Sequence, residues 1–242
     1  MKIGTVVEGP TDRLLLEAII SHVMPGEHQF LALQPVGLGA SFGETGTGWK
    51  GVRRFCREIY QRHQSNIASY MADYQLDLLV IHLDADVIRE ADLWEDTPLP
   101  EWLNPLPCPP IAATAGQLKR LVAHWLNEPA AANLPLSLIF AIPSQDTENW
   151  TFAALFPEDA LCQRPEYECV QGENQYHPAY QLTLKDYGKY LQRKESQIKK
   201  SVVTYRRLVP EIMNRWEHVC RICTQAHQFQ QDLSQTLTSQ DQ

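Results

Sequence analysis

The sequence contains no run of about 18 consecutive apolar residues, the length that a helix needs to cross a membrane. Its longest apolar run, 134–143, already includes a serine and two prolines. The N-terminal segment MKIGTVVEGP also lacks the apolar region and the small-residue cleavage site of a secretory signal. We therefore expect a cytoplasmic protein without membrane partners, in which the six cysteines are reduced.

No nucleotide-binding motif is present either. The segment from Gly37 to Gly48 is rich in glycine, but its spacing matches neither the dinucleotide fingerprint nor the P-loop. We predict that it is a mobile loop that closes over a substrate. Because the chain has no ATPase motif of its own, coupling to ATP hydrolysis would need an ATPase or another protein partner.

What the sequence does have is an ordinary globular composition, with 242 residues of which 44% are hydrophobic and 21% charged. This excludes a disordered chain, a coiled-coil rod and a disulfide miniprotein, and it suits one or two domains. The net charge of −8 is uneven, because residues 50–62 sum to +4 and residues 185–215 to +6 within an acidic chain. An acidic chain argues against a nucleic-acid coat protein, but two basic segments can form one patch for an anionic ligand.

Short apolar segments alternate with helical patterns through residues 1–157. The clearest strand is 78–83, an unbroken apolar run typical of a parallel strand covered on both faces. The order of the segments predicts an α/β fold, in which a mainly parallel sheet of four or slightly more strands is flanked by helices, one of them starting at Thr114. We assign 1–157 to this domain and 158–242 to a C-terminal helical extension of two helices, with a break near Pro210.

Acidic side chains follow three of the predicted strands. Glu8 comes after the first strand, Asp84 and Asp86 follow the third, and Asp146 and Glu148 follow the fourth. The carboxyl ends of parallel strands meet at one edge of the sheet, where open α/β folds form their sites. Gathered carboxylates repel one another unless a cation lies among them, and hard oxygen ligands suit Mg²⁺ or Mn²⁺. The alternative, which fits Asp146, is that such an acid caps the following helix.

Two of these strand ends resemble the motifs of TOPRIM (topoisomerase–primase) domains. The segment VVEGPTD, residues 6–12, resembles the first motif, a hydrophobic strand that ends in Glu followed by Gly. The segment LVIHLDAD, residues 79–86, resembles the second motif, a hydrophobic strand that ends in Asp-x-Asp. The segment QDTENW, residues 145–150, is similar to an acidic, Trp-bearing segment after the fourth strand. Over residues 1–157 the chain resembles small stand-alone TOPRIM-like proteins and the TOPRIM half of OLD-type nucleases.

This resemblance implies a Rossmann-like TOPRIM core that cleaves phosphodiester bonds, as a nuclease in phage defence or DNA repair. It implies that Glu8 is a general acid/base or a ligand of the metal and its water. It also implies that Asp84 and Asp86 hold Mg²⁺ or Mn²⁺ and that Glu148 supports a metal ion. A topoisomerase would need a nucleophilic tyrosine and a DNA gate, for which a chain of 242 residues has no room.

Binding of the nucleic-acid substrate would depend on the two basic segments. Four residues of the first share one helix face after the glycine-rich loop: Lys50, Arg53, Arg54 and Arg57. In the second, Lys199 and Lys200 are predicted to lie on a helix with further basic residues. We predict that Lys50 and Lys199 are catalytic cations, and that substrate is bound by Gly9, Arg53, Arg54, Arg57 and Lys200. The alternative is a basic helix face that only contacts solvent.

Two other functions stay open. A phosphatase or nucleotidyl hydrolase acting on a small phosphorylated substrate predicts a closed pocket beneath the glycine-rich loop. A non-catalytic TOPRIM-like module that binds a partner protein or nucleic acid predicts carboxylates too far apart to share one ion. A nuclease predicts that the two basic segments flank the acidic cluster, with the acidic segment 63–115 as the surface for a protein partner.

Two further patterns receive a structural interpretation. Cys220, Cys223 and His227 have a spacing that could serve zinc on one helix face, but paired-cysteine zinc sites mostly use turns, so we predict buried thiols. His82 lies within the third strand and on the same side as Asp84. We predict a hydrogen-bonded core histidine, or one that supports the site, rather than a catalytic one.

Overall fold

The computed structural model describes residues 1–35, 48–63, 67–93, 108, 110–128, 130–165, 167–169, 177–185, 192–194 and 197–240. Within this part of the chain a four-stranded sheet lies between two layers of helices. Its strands are β1 (Lys2–Val6), β2 (Gln29–Gln34), β3 (Leu78–His82) and β4 (Leu138–Ala141). Neighbouring strands are all parallel, in the order β2-β1-β3-β4. The predicted α/β fold with a parallel sheet is confirmed.

The central strands, β1 and β3, determine where a site can form. They pair from Ile3 with Leu78 to Val6 with Ile81, and every residue of β3 is buried. From β1 the chain crosses to β2 on one side, whereas from β3 it crosses to β4 on the other. This reversal of strand order opens a crevice at the carboxyl ends of β1 and β3.

The described helices are α1 (Pro10–Val23), α2 (Trp49–His63), α3 (Ile67–Asp73), α4 (Ile111–Trp125), α5 (Thr147–Leu155), α6 (Pro178–Leu184), α7 (Val202–Asn214), α8 (Trp216–Ile222) and α9 (Thr224–Gln240). On one face of the sheet, Leu78 and Val80 pack in a core with α1, α5 and α7 to α9. On the other face, Leu79 and Ile81 pack with α2, α3 and α4. The two-residue alternation along β3 therefore supplies both cores. The helix expected to start at Thr114 starts earlier, at Ile111, and Thr114 is buried inside it.

The C-terminal helices belong to the same core as the sheet. Trp150 of α5 contacts Trp216 edge to face, with ring centroids 5.7 Å apart, and stacks on Phe229 at 6.2 Å. All three side chains are fully buried or nearly so. Since α7 also packs along α1, residues 202–240 cover one face of the α/β domain.

The C-terminal part differs from the predicted pair of helices. Strands β5 (Gln192–Lys194) and β6 (Gln197–Lys199) form an antiparallel pair, and α7 begins only at Val202. The prediction that Lys199 and Lys200 lie on a helix is therefore wrong. Pro210 lies inside α7, and the helix ends at Asn214 instead. The buried side chains of Tyr205, Leu208 and Ile212 explain this, because packing of one helix face outweighs the unfavourable proline.

The cysteines also differ from expectation. Cys108 and Cys169 form a disulfide, with Cα atoms 5.4 Å apart, so the prediction of six reduced thiols is wrong for this pair. The other four cysteines are free. In the ranges given above, no helix is both long and apolar enough to cross a membrane.

Candidate metal centre

Glu8 lies in the crevice directly after β1. Its Oε1 atom accepts a hydrogen bond from the backbone N–H of Asp84 at 2.8 Å, which joins the ends of β1 and β3. The backbone N–H of Gly48 donates to the Glu8 carbonyl at 2.9 Å. Gly48 has a φ of +71°, and a Cβ there would lie 3.9 Å from Glu8 Oε2. The helix α2 therefore begins beside the Glu8 carboxylate.

Gly9 brings a second acid close to the crevice. A Cβ on Gly9 would lie 2.9 Å from Asp12 Oδ2, so a glycine is needed for this approach. Asp12 is buried in the first turn of α1, and its Oδ1 accepts a hydrogen bond from Thr147 Oγ1 at 2.7 Å. The structure thus gives Gly9 a packing role next to the site. Sequence reasoning missed Asp12, although it stands one helical turn after Glu8.

His82 and Asp84 complete the group at the end of β3. His82 is fully buried, and its Nε2 lies 3.1 Å from Asp84 Oδ1 without forming a hydrogen bond. One ligand atom from each of Glu8, His82 and Asp84 lies within 4.8 Å of the other two. It is the only group of three or more such ligands among the described residues. The sequence predicted Glu8 and Asp84 as ligands, and His82 only as a core histidine or one that supports the site.

Asp86 and Asp146 lie nearby but outside this group. Asp86 is exposed, yet the protein around it and the charge of Asp84 raise its pKa to about 7. Its backbone N–H donates to the Gln145 carbonyl at 3.3 Å, which brings the turn after β4 to the turn after β3. Asp146 is at the N-cap of α5, but its side chain makes no capping hydrogen bond, and its Oδ1 is buried without a partner. The capping role considered for Asp146 is therefore wrong.

Glu148 is held in a buried ion pair. Its Oε2 lies 2.6 Å from Lys200 Nζ, and its Oε1 accepts a hydrogen bond from the Tyr205 hydroxyl. Lys200 Nζ also lies 3.8 Å from Asp12 Oδ1. Burial alone would lower the pKa of Lys200, but the charges of Glu148 and Asp12 outweigh it and raise this pKa well above its usual value. Glu148 therefore contacts Lys200 and Tyr205 and does not belong to the group of ligands around Glu8.

The electrostatics of the crevice favour a cation. Burial and the charge of Asp84 raise the pKa of Glu8 well above its usual value, and burial also raises the pKa of Asp84. Burial and the charge of Glu148 raise the pKa of Asp146 in the same way. Burial would lower the pKa of His82, but the charge of Asp84 outweighs this and raises it. Burial is the largest cause for the three carboxyl groups, and neighbouring carboxylates contribute to all four shifts, which a cation in the crevice would oppose.

Some of the predicted basic residues lie at the surface, and one of them, Lys200, lies in the crevice. Lys50 pairs with Asp92, and about half of each of the two side chains is exposed. Arg53 lies over the Trp49 ring at 4.9 Å, and Arg54 Nε is 3.6 Å from Glu58 Oε1. These residues and Arg57 belong to α2. Lys200 reaches the acidic residues themselves, whereas the side chain of Lys199 lies outside the described part of the chain.

A cavity of about 510 Å³ lies at the C-terminal end of α5, the opposite end from Asp146, and is lined by Leu155, Phe156, Pro157, Glu158, Asp159, Arg215 and His218. The glycine-rich loop that we predicted to close over a substrate lies, for residues 36–47, outside the described residues.

Comparison with known proteins gives no match: no protein family, no curated protein and no solved structure is similar to this chain.

Proposed function

We propose that this protein is a divalent-metal-dependent phosphodiester hydrolase of the TOPRIM type, acting as a nuclease. The observation that carries this proposal is the convergence of ligand atoms from Glu8, His82 and Asp84 within 4.8 Å of one another. This spacing is short enough to surround one ion with little rearrangement, because metal–ligand bonds are about 2.1 Å long. It also argues against the binding-module alternative, which predicts carboxylates too far apart to share an ion.

The donor atoms fit a divalent cation. Asp84 Oδ1 and Asp146 Oδ1 are buried acceptors without a hydrogen-bond partner, and such atoms are costly unless a cation or a donor satisfies them. Glu8, His82 and Asp84 would hold the ion. A divalent ion here would supply a Lewis acid for the phosphate and acidify a bound water.

The protein's own groups have distinct tasks in this proposal. Glu8 is fixed through Oε1 by the Asp84 N–H, which would orient its carboxylate for the ion. The start of α2 beside Glu8 presents the positive end of a helix dipole, which favours a phosphate. Lys200 is bound to Glu148 and keeps a positive charge at the wall of the crevice.

The position of the basic segments supports a nucleic acid as the substrate. The first segment follows Gly48 on α2, beside Glu8. The second reaches the crevice through Lys200 and continues on α7, where Arg206 and Arg207 are exposed. Lys200 lies among the acidic residues, and the further basic residues on α2 and α7 would extend this charge into a surface for a phosphate backbone.

Cleavage assays test the proposal. Plasmid DNA, single-stranded DNA and RNA are incubated with the protein in Mg²⁺, Mn²⁺ or EDTA, beside Glu8→Gln, Asp84→Asn and the control Glu217→Gln, which changes an exposed acid on α8. We expect cleavage that needs the metal, persists in the control and is lost in both crevice variants, by at least about a hundredfold. Cleavage that survives both substitutions would place the activity elsewhere.

Absence of cleavage is also informative. If a divalent ion raises the melting temperature of the wild type but not of Asp84→Asn, the metal site stands and the substrate is a small phosphorylated molecule or a partner protein is missing. If no ion stabilises the wild type, the chain is a binding module and the proposed function is refuted.

A further inference from the structure

His82 is the least expected member of the group in the crevice. Its side chain has no solvent exposure, and neither ring nitrogen has a hydrogen-bond partner in the described structure. A buried polar group without a partner is destabilising, so such groups are rare in folded proteins and call for an explanation. The place of His82 near the carboxylates follows from the strand, because residues two apart, such as His82 and Asp84, point to the same side of the sheet.

The distance between His82 and Asp84 fits two ligands of one ion. Nε2 and Oδ1 are 3.1 Å apart, close enough for an ion pair when the imidazole is protonated, but neither atom makes a hydrogen bond of good geometry. Adjacent ligands of an octahedral ion with bonds of about 2.1 Å lie about 3 Å apart. The nitrogen and the oxygen therefore stand where both can bind one ion, with Glu8 as the third ligand.

We propose that His82 is a direct metal ligand and that the site binds a first-row transition-metal ion, such as Mn²⁺, in preference to Mg²⁺. The reason is the donor set, because Mg²⁺ takes oxygen ligands and keeps several waters, whereas imidazole nitrogen suits transition metals. Two carboxylates and one imidazole thus distinguish this site from the all-carboxylate set that the TOPRIM resemblance implies. This inference rests on the metal site of the proposed function and narrows the identity of its ion.

The test uses the full chain, stripped of metal by a chelator and then titrated with Mn²⁺ and Mg²⁺. Mn²⁺ binding is followed by electron paramagnetic resonance, and Mg²⁺ affinity by competition. Electron spin echo measurements on bound Mn²⁺ detect coupling to a coordinated ¹⁴N nucleus. His82→Gln replaces the imidazole by an amide, and His218→Gln is the control because His218 is an exposed histidine on α8.

We expect the wild type to bind Mn²⁺ at least about tenfold more tightly than Mg²⁺ and to show ¹⁴N coupling. His82→Gln is expected to lose the coupling and at least about tenfold in Mn²⁺ affinity, with little change for Mg²⁺. The control should behave as the wild type. If His82→Gln does not fold, the ¹⁴N coupling of the wild type decides alone.

The failures of the two proposals can be told apart. Mn²⁺ that binds without ¹⁴N coupling, or equal affinities for Mn²⁺ and Mg²⁺, would overturn the role of His82 and leave the metal site intact. Absence of binding by either ion would overturn the metal site, and with it both proposals.

Discussion

Removal of the Lys200 ammonium is expected to destabilise the protein far more than removal of a surface lysine. Lys200 Nζ lies 2.6 Å from Glu148 Oε2 and 3.8 Å from Asp12 Oδ1, and the Glu148 side chain has no exposure. At an effective dielectric constant of about 20, the two attractions amount to about 6 and about 4 kcal/mol before desolvation is subtracted. Deleting one partner of a buried pair typically costs about 3–5 kcal/mol, because the other charge is left uncompensated.

In the Lys200→Met variant, Glu148 keeps the Tyr205 hydroxyl as a hydrogen-bond donor but loses its cation. We therefore expect Lys200→Met to lower the free energy of unfolding by about 3–5 kcal/mol at pH 7.

Urea unfolding in EDTA, followed by tryptophan fluorescence, measures this loss, since Trp150 and Trp216 are buried. Lys185→Met is the matched control, because Lys185 pairs with the partly exposed Asp159 at 2.7 Å and such pairs contribute about 1 kcal/mol or less. Adding Glu148→Gln to Lys200→Met should recover part of the stability. If Lys200→Met costs no more than the control, the buried ion pair does not stabilise the protein as argued.

Three further predictions concern stability. Glu168→Ala removes a carboxylate that accepts from Thr224 Oγ1 at 2.6 Å at the start of α9, and should cost about 1–3 kcal/mol in urea unfolding; an unchanged midpoint would contradict this. Pro210→Ala restores a backbone donor inside α7 at an exposed position and should raise the unfolding free energy by about 1 kcal/mol; a loss of stability would rule this out. In EDTA the unfolding free energy should fall as pH rises above about 4. The reason is that the raised pKa values of Glu8 and Asp146 make the folded state bind protons more tightly than the unfolded state. Stability that rises with pH up to neutrality would refute this.

The α/β domain could be predicted because its signals are strong and local. β3 is an uninterrupted apolar run, and helical patterns separate each predicted strand from the next, which dictates parallel pairing. The C-terminal part lacks such signals. β5 and β6 read QRK and QIK, with no alternation that marks a strand. A helix break near Pro210 is what the local preference of proline predicts, but the tertiary packing of α7 outweighs that preference.

The candidate site divides in the same way. Glu8, Asp84 and Asp86 could be named from the sequence, because residues after parallel strands meet at one edge of the sheet. Asp12 and Thr147 could not be paired, since 135 residues separate them and only the packing of α1 against α5 brings them together. His82 looked like core because its neighbours are apolar. The sequence feature that indicates its role is the spacing of two residues from Asp84, which places both side chains on the same side of the strand.

The contacts of Lys200 and Tyr205 indicate that the C-terminal part belongs to the site as well as to the core. Glu148 follows the fourth strand, yet the groups that satisfy its two oxygens come from residues after β6. Without Lys200 and Tyr205, the Glu148 carboxylate would be buried without partners. It would then add to the group formed by Asp146, Asp84 and Glu8, whose pKa values are already raised by burial and by neighbouring carboxylates. Lys200 therefore neutralises the side of the crevice around Glu148 and Asp12, and the carboxylates of Glu8 and Asp84 at the ends of β1 and β3 remain for the cation that we propose.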